Sequence, residues 1–215
     1  LFDPRVNFCC SGIIAQGMGP AVGAAMAAKL RGTDDVAVAF IGEGAANQGA
    51  FHETLNLAAV WKAPVIFVIE DNAYGISVSK RQATAVEGNA ERAAAYGMPG
   101  HFVPDNPDEV FKVAGDAIER ARGGGGPSLI EIETIRLEGH FMGDAEGYRP
   151  EGEKTSLQEK DPITRYRARL EKAGLSAGNL DALEEAARSR VAAAFEHARQ
   201  SAAPKPEDAF ITVFA

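Results

Sequence analysis

Residues 36–44 read VAVAFIGEG, an unbroken apolar run followed directly by an acid between two glycines. An apolar run of this length is typical of a strand that is buried on both faces of a sheet. A second run, VIFVI at residues 65–69, follows one helix-length segment later and leads into the polar triplet EDN. A strand, a helix and a second strand in this order predict a parallel pair joined by a crossover helix.

The flanking sequence continues this alternation of helices and strands. Helices are predicted over about residues 20–30, 50–61, 91–96, 106–122, 162–173 and 179–200, and further strands at 102–103 and 129–135. The last of these strands alternates apolar and polar residues, which indicates a position nearer the sheet edge. We therefore predict an α/β fold in which a mostly parallel sheet carries helices on both faces, with a helical C-terminal tail.

The composition limits the organisation and the partners of the chain. A chain of 215 residues can bury one substantial core, so we expect a domain over residues 1–157 with a helical segment, residues 158–215, packed on it. The net charge of -8 argues against nucleic acid or an anionic membrane as a partner. Cys9 and Cys10 are neighbours, which rarely reach disulfide geometry, so a reducing, cytoplasmic location is expected.

Oxygen ligands follow both apolar strands at the point where each strand ends. Glu43 offers a carboxylate, Asn72 offers an amide oxygen and Tyr74 offers a backbone carbonyl. Mg²⁺ takes about six oxygens and usually shares them between protein, water and phosphate. Gly44 lets the backbone approach a ligand, and a helix that begins near Gly49 favours an anion at its amino terminus. The sequence therefore predicts a magnesium-bridged diphosphate site.

A dinucleotide-binding fold is the main alternative to this site. The dinucleotide-binding motif has glycines after a strand and an acid at the end of the next strand. This chain has a similar arrangement, with Glu70 or Asp71 as the acid. The third glycine, however, lies too far along the sequence for that motif. Without a metal, the carboxylate of Glu43 would also repel a pyrophosphate. A nucleotide P-loop is excluded because no Gly-Lys-Ser/Thr follows the glycines.

The spacing of the acid and the amide resembles the thiamine-diphosphate motif, in which Gly-Asp/Glu-Gly precedes Asn-Asn by one helix and one strand. Asn72 follows Glu43 by 29 positions. Further ordered segments match the same family: Gly12-Ile13-Ile14, GAANQG at 44–49, NLAAVWK at 56–62, GHFMGD at 139–144, YR at 148–149 and PKPED at 204–208. The chain thus resembles the α subunits of the thiamine-diphosphate-dependent 2-oxo acid dehydrogenases, the first components that act on pyruvate or acetoin.

The resemblance assigns the ligands of the cation and the diphosphate. Glu43, Asn72 and the carbonyl of Tyr74 would hold Mg²⁺. Gly44 and Ala45 would line the diphosphate of thiamine diphosphate.

It also assigns the residues around the rest of the cofactor. Gly12 and Ile14 would lie beside it, with Ile14 as the apolar wedge that bends it, and Gly75 would join the cofactor-binding set. His140 would be the catalytic residue, placed over the reactive thiazolium carbon or the diphosphate on an ordered loop. A loop rich in glycine and charge is a usual location for such a residue.

The resemblance further implies a reaction and its partners. The cofactor would supply the carbanion chemistry, and the acyl group from pyruvate or acetoin would pass to a lipoyl arm. A β subunit would complete an α₂β₂ heterotetramer that docks on a lipoyl acyltransferase component. The family also carries a longer amino-terminal region, which would precede Leu1.

Three positions depart from the usual pattern. Glu43 stands where Asp is commoner, as in the branched-chain 2-oxo acid members, which are therefore an alternative. Asp71 replaces the first Asn of the pair, which leaves open a scaffold subunit without cofactor. Phe141 stands where mitochondrial relatives carry a phosphorylated Ser, so that switch is not expected.

Overall fold

The computed structural model describes residues 2, 3 and 5–211, so that Leu1 lies outside the described residues. Its strands are β1 (Phe2–Asp3), β2 (Phe8–Cys9), β3 (Ala37–Gly42), β4 (Val65–Asp71), β5 (Tyr74–Gly75), β6 (Val78–Ser79), β7 (Gly100–Val103) and β8 (Ser128–Glu133). Four of them form a parallel sheet in the order β3-β4-β8-β7, while β1–β2 and β5–β6 are short antiparallel pairs.

The described residues also form helices, which lie between and after these strands in the sequence. They are α1 (Met18–Arg31), α2 (Gly49–Trp61), α3 (Lys80–Ala83), α4 (Pro107–Arg122), α5 (Glu153–Glu159), α6 (Pro162–Lys172), α7 (Ala177–Gln200) and α8 (Asp208–Ile211). Two 3₁₀ helices cover Glu43–Asn47 and Asn89–Tyr96. No described helix is long and apolar enough to cross a membrane.

Helices pack on both faces of the sheet, which confirms the predicted fold class. Alternate residues of β4 point to opposite faces, as the period of a strand requires. Val65, Phe67 and Ile69 pack with α1 and α2, and Ile66 and Val68 pack with α4. Because residues 65–69 of β4 are buried on both sides, this part of the strand is uniformly apolar.

The prediction that residues 129–135 form a strand nearer the edge is wrong. β8 pairs with β4 on one side and with β7 on the other, so it lies inside the sheet. The polar residue that suggested the edge, Glu131, is fully buried. Its side chain bonds to Asn89 and Lys80 instead of water, and this pairing accounts for the misleading alternation.

Contacts within the chain divide it into two compact units, the first ending at Thr164 and the second beginning at Arg165. The first unit contains the sheet. In the second, Arg167 joins its helices through ion pairs with Asp181 at 2.5 Å and Glu184 at 3.4 Å. The packing of a segment 158–215 on a domain 1–157 stays a prediction.

Two glycines are expected to respond oppositely to an added methyl group. At Gly100 a Cβ would overlap the carbonyl oxygen of Ala90 and lie 2.8 Å from Cβ of Ala93, so Gly100→Ala should lower the free energy of unfolding by about 1–3 kcal/mol. Gly23, inside α1, has open space around its Cβ position, so Gly23→Ala should raise stability by up to about 1 kcal/mol. Urea denaturation midpoints measure both variants, and shifts in the same direction would contradict this packing.

Candidate metal and diphosphate site

Glu43 is the centre of the candidate site. It follows β3 directly as the first residue of a 3₁₀ helix, and only 2% of its surface is exposed. Its Oε2 accepts a hydrogen bond from the backbone N–H of Asn72 at 3.3 Å, whereas Oε1 is buried and has no hydrogen-bond partner among the described residues. Burying a carboxylate oxygen without a partner costs free energy. A hydrogen-bond donor or a bound cation beside Oε1 would remove that cost.

The electrostatics of Glu43 support the same conclusion. Burial, the largest influence, raises the pKa of this carboxyl above its ordinary value, and the nearby Asp71 raises it further. Its own backbone N–H, the N–H of Asn72 and the ammonium of Lys80 act in the opposite direction without cancelling the rise. The ionised carboxylate is therefore less stable here than in water, and a bound cation would reverse that penalty.

Asn72 and Tyr74 lie on the turn that follows β4. Oδ1 of Asn72 accepts the N–H of Tyr74 at 3.2 Å, and Ala73 between them adopts a left-handed conformation with φ of 69°. An amide oxygen has two lone pairs, so Oδ1 keeps one for a ligand. The described residues contain no cluster of three or more His, Cys, Asp or Glu side chains able to hold a metal, so a cation beside Glu43 would rely on amide and carbonyl oxygens.

Two glycines bring the backbones of the site together. A Cβ placed on Gly44 would lie 3.2 Å from Cα of Gly75, so the 3₁₀ helix and the β5–β6 hairpin meet backbone to backbone. A side chain at position 44 would disturb this approach, which accounts for the glycine there. Ala45 is buried in the core, with 7% of the residue exposed, and its contact with a diphosphate stays a prediction.

Among the described residues, Gly12 and Ile14 are not linked by hydrogen bonds to the site around Glu43. Both are exposed in the stretch before α1, with 56% of the Ile14 surface accessible. A Cβ on Gly12 would meet open space, so no close approach requires a glycine there. No hydrogen bond within the described ranges joins either residue to Glu43 or Asn72, and their contact with a cofactor stays a prediction.

His140 is exposed on the loop between β8 and α5. Its backbone N–H donates to Oδ2 of Asp144 at 2.8 Å, the hydroxyl of Tyr148 donates to the same oxygen at 2.7 Å, and the N–H of Glu146 donates to Oδ1 at 2.9 Å. These bonds, led by that from His140, lower the pKa of Asp144 to about 2. Asp144 is thus ionised at neutral pH and fixes the backbone next to His140.

Arg136 ties this loop to the hairpin that carries Tyr74. Its Nη2 donates to the carbonyl of Ile76 at 2.7 Å and to the hydroxyl of Tyr148 at 2.6 Å. Its guanidinium also lies over the rings of Tyr74 and Tyr148, at 5.9 and 5.7 Å from their centroids. The structure therefore links the predicted metal turn to the loop of the predicted catalytic residue.

Comparison with known proteins decides the family. A family model described as dehydrogenase E1 component matches residues 6–207. The chain belongs to the dehydrogenase E1 component family. The α subunits of acetoin:2,6-dichlorophenolindophenol oxidoreductase from Cupriavidus necator and Bacillus subtilis are 45% and 44% identical to it. The pyruvate dehydrogenase E1 component subunit alpha of Rhizobium meliloti is 36% identical.

Each of these matches covers more of this E1 chain than of the relative. The two acetoin relatives match 95% of this chain, and the pyruvate relative matches 91%. The chain spans 62% of the length of the acetoin relatives and 57% of the pyruvate relative. The resemblance to α subunits of this family is confirmed.

Several residues that shape the site of this E1 chain were not predicted from the sequence. Arg92 holds the 3₁₀ helix through the carbonyl of Ala46 at 2.5 Å and Oδ1 of Asn47 at 2.8 Å. Lys80 and Glu131 form a buried ion pair next to β4. The residues next to Lys80 and Arg92 in sequence do not reveal these partners, which lie more than 40 residues away.

Proposed function

We propose that this chain holds the diphosphate end of thiamine diphosphate through Mg²⁺ as part of an E1 component α subunit. The observation that carries the proposal is the buried Oε1 of Glu43, which has no hydrogen-bond partner among the described residues. The matching family and the names of the relatives agree with it. An ionised Glu43, an amide oxygen at Asn72 and a carbonyl at Tyr74 are the hard oxygen ligands that Mg²⁺ prefers.

The residues of the chain would bind and orient the group. When bound, thiamine diphosphate supplies the carbanion that attacks the substrate carbonyl. Glu43 and Asn72 would hold the cation, and the backbone of Gly44, Ala45 and Gly75 would receive the diphosphate. Burial of Glu43 excludes water, which strengthens its attraction for the cation.

Gly12, Ile14 and His140 complete the proposed site. Gly12 and Ile14 would lie beside the cofactor, on the exposed stretch before α1. His140 would act on the reacting groups. Its backbone is held in the loop by a hydrogen bond to Asp144. Tyr74 would support that loop, since its ring lies 5.5 Å from that of Tyr148.

We infer a substrate of the acetoin and pyruvate class. We also infer a β subunit as the partner in an α₂β₂ heterotetramer and a lipoyl acyltransferase component as the acceptor. The expected location is cytoplasmic. Relatives that match 91–95% of the chain carry acetoin or pyruvate in their names. The Bacillus subtilis 2-oxoisovalerate dehydrogenase subunit alpha, a branched-chain relative, is 43% identical but matches 75% of the chain. The wider match favours acetoin and pyruvate.

Dye reduction by the full α subunit, co-expressed with its β subunit, tests this function. Acetoin, pyruvate and branched 2-oxo acids would each be offered with and without thiamine diphosphate and Mg²⁺. Turnover of acetoin or pyruvate that requires both additions is expected. Absence of turnover together with absence of cofactor binding would instead identify a scaffold subunit.

His140→Ala is expected to slow acyl transfer to a lipoyl domain by about 100-fold or more, as loss of a group engaged with the reacting atoms does. The proposed cation ligand is the buried Glu43 and not the exposed His140, so cofactor affinity should change less than threefold. Single-turnover transfer and calorimetric cofactor binding measure the two effects. The exposed neighbour Met142→Ala is the control, and equal losses of transfer and binding in His140→Ala would contradict the assignment.

A further inference from the structure

A buried ion cluster lies next to the proposed metal turn. The ammonium of Lys80 contacts Oδ2 of Asp71 and Oε1 of Glu131, the latter at 3.0 Å. Little of these side chains is exposed: 14% for Lys80, 10% for Asp71 and none for Glu131. Charges this far from water interact strongly, so the position of Lys80 determines that of its partners.

Lys80 also closes the turn through its backbone. Its N–H donates to the carbonyl of Ala73 at 2.8 Å, while the N–H of Ala73 donates to Oδ1 of Asp71 at 2.9 Å. Both carboxylate oxygens of Asp71 therefore have partners inside the segment 71–80. That segment contains Asn72 and Tyr74, two of the three proposed ligands of the cation.

Asp71 needs such restraint because of its charge. It stands immediately before Asn72, at a position where the motif that this chain resembles has a neutral amide. A second carboxylate near Glu43 adds like charge to a site that must accept a diphosphate. Asp71 is directly followed by Asn72, whose backbone N–H donates to Oε2 of Glu43.

We propose that Lys80 is a positioning residue for the cation site: it neutralises Asp71 and holds that carboxylate back in the turn, outside the coordination sphere of Mg²⁺. The inference rests on the proposed function. Lys80 and Asp71 act as a pair, in which the lysine compensates for the acid.

A purely structural role for Lys80 makes a different prediction. In that case its purpose would be to pair with Glu131, whose carboxylate also accepts the N–H of Ala90 at 2.8 Å and the amide of Asn89 at 3.2 Å. Neutralising Asp71 would then do nothing for a variant that lacks Lys80. The charge of Asp71 is thus the variable that separates the two roles.

The experiment compares Lys80→Met, Asp71→Asn and the double variant in the full α subunit assembled with its β subunit. Calorimetry measures the Kd for thiamine diphosphate at saturating Mg²⁺, and thermal unfolding without cofactor measures stability. Lys80→Met should raise the Kd at least tenfold, and the double variant should return it to within threefold of wild type. Lys80→Met should lose more stability than the double variant, because it leaves both Asp71 and Glu131 without their ammonium partner, whereas the double variant leaves only Glu131.

Asp71→Asn alone should keep the Kd within threefold of wild type, because an amide oxygen can still accept the N–H of Ala73. This variant also decides the matter if Lys80→Met fails to assemble, since a tenfold loss in it would make Asp71 itself a ligand. A double variant as weak as Lys80→Met, or an unchanged Lys80→Met, would overturn the proposal. Absence of Mg²⁺-dependent binding in wild type would overturn the proposed function as well.

Discussion

Replacing Glu43 with Gln is expected to weaken Mg²⁺-dependent retention of thiamine diphosphate by at least about 100-fold, which corresponds to about 2.7 kcal/mol. Glu43 is the one carboxylate of the proposed ligand set. A neutral amide keeps its shape and its bond to the N–H of Asn72 but removes the negative charge that Mg²⁺ prefers. Calorimetric titration of the full α and β complex with cofactor, at several Mg²⁺ concentrations, measures the loss.

The same substitution is expected to leave the cofactor-free protein at least as stable as wild type. The folded pKa of Glu43 lies above its ordinary value of 4.5, so the folded protein holds this proton more tightly than the unfolded chain does. Stability from this group is therefore lost as pH rises through the raised folded pKa, and the neutral Gln avoids that loss at pH 7. Thermal unfolding at pH 7 without cofactor should show an unchanged or higher Tm.

Glu70→Gln provides a matched control for both measurements. Glu70 precedes Asp71 near the end of β4, but its side chain is exposed. Retention and Tm should therefore stay at wild-type values in the control. Normal cofactor retention in Glu43→Gln would contradict the proposed cation ligand, and a large fall in its Tm would show that Glu43 serves the fold.

The apolar runs were enough to predict both strands that position this site, and burial on both faces explains the run in β4. The same expectation is wrong for β3, which lies at the end of the described sheet with 43% of Val38 and 66% of Phe40 exposed. Residues 36–41 and 65–69 were predicted as strands, and the structure has β3 at Ala37–Gly42 and β4 at Val65–Asp71. Their carboxyl ends bring Glu43 and Asn72 into contact. Parallel pairing of neighbouring strands is enough to place the side chain of Glu43 against the backbone of Asn72, so local pattern and topology sufficed.

The surroundings of the site could not be predicted in this way. Glu131 suggested an edge strand because its partners, Lys80 and Asn89, lie 51 and 42 residues earlier in the sequence. The loop of His140 was predicted, but the role of Arg136 in tying it to Tyr74 depends on a tertiary arrangement of aromatic rings. Such contacts leave no periodic trace, so the sequence indicates the side chains without indicating their partners.

Removing the buried carboxylate of Glu131 is expected to destabilise the protein strongly. Glu131→Ala leaves the ammonium of Lys80, the amide of Asn89 and the N–H of Ala90 without the acceptor they now share. Removal of one partner from a buried ion pair typically costs about 3–5 kcal/mol. Thermal and urea unfolding of the cofactor-free α and β complex measure the effect, with Glu133→Ala, an exposed acid on the same strand, as the control.

The loss caused by Glu131→Ala should also depend on pH. Burial opposes ionisation of Glu131, but the hydrogen bonds from Ala90, Asn89 and Lys80 outweigh it, so the folded pKa lies below the ordinary value of 4.5. Stability from such a group is fully present above pH 4.5 and is lost as pH falls through the lowered folded pKa. Wild type and variant should therefore differ most near neutral pH and converge in acid. A difference that stays constant down to the acid limit would mean that Glu131 stabilises β8 by packing alone, because packing does not depend on its charge.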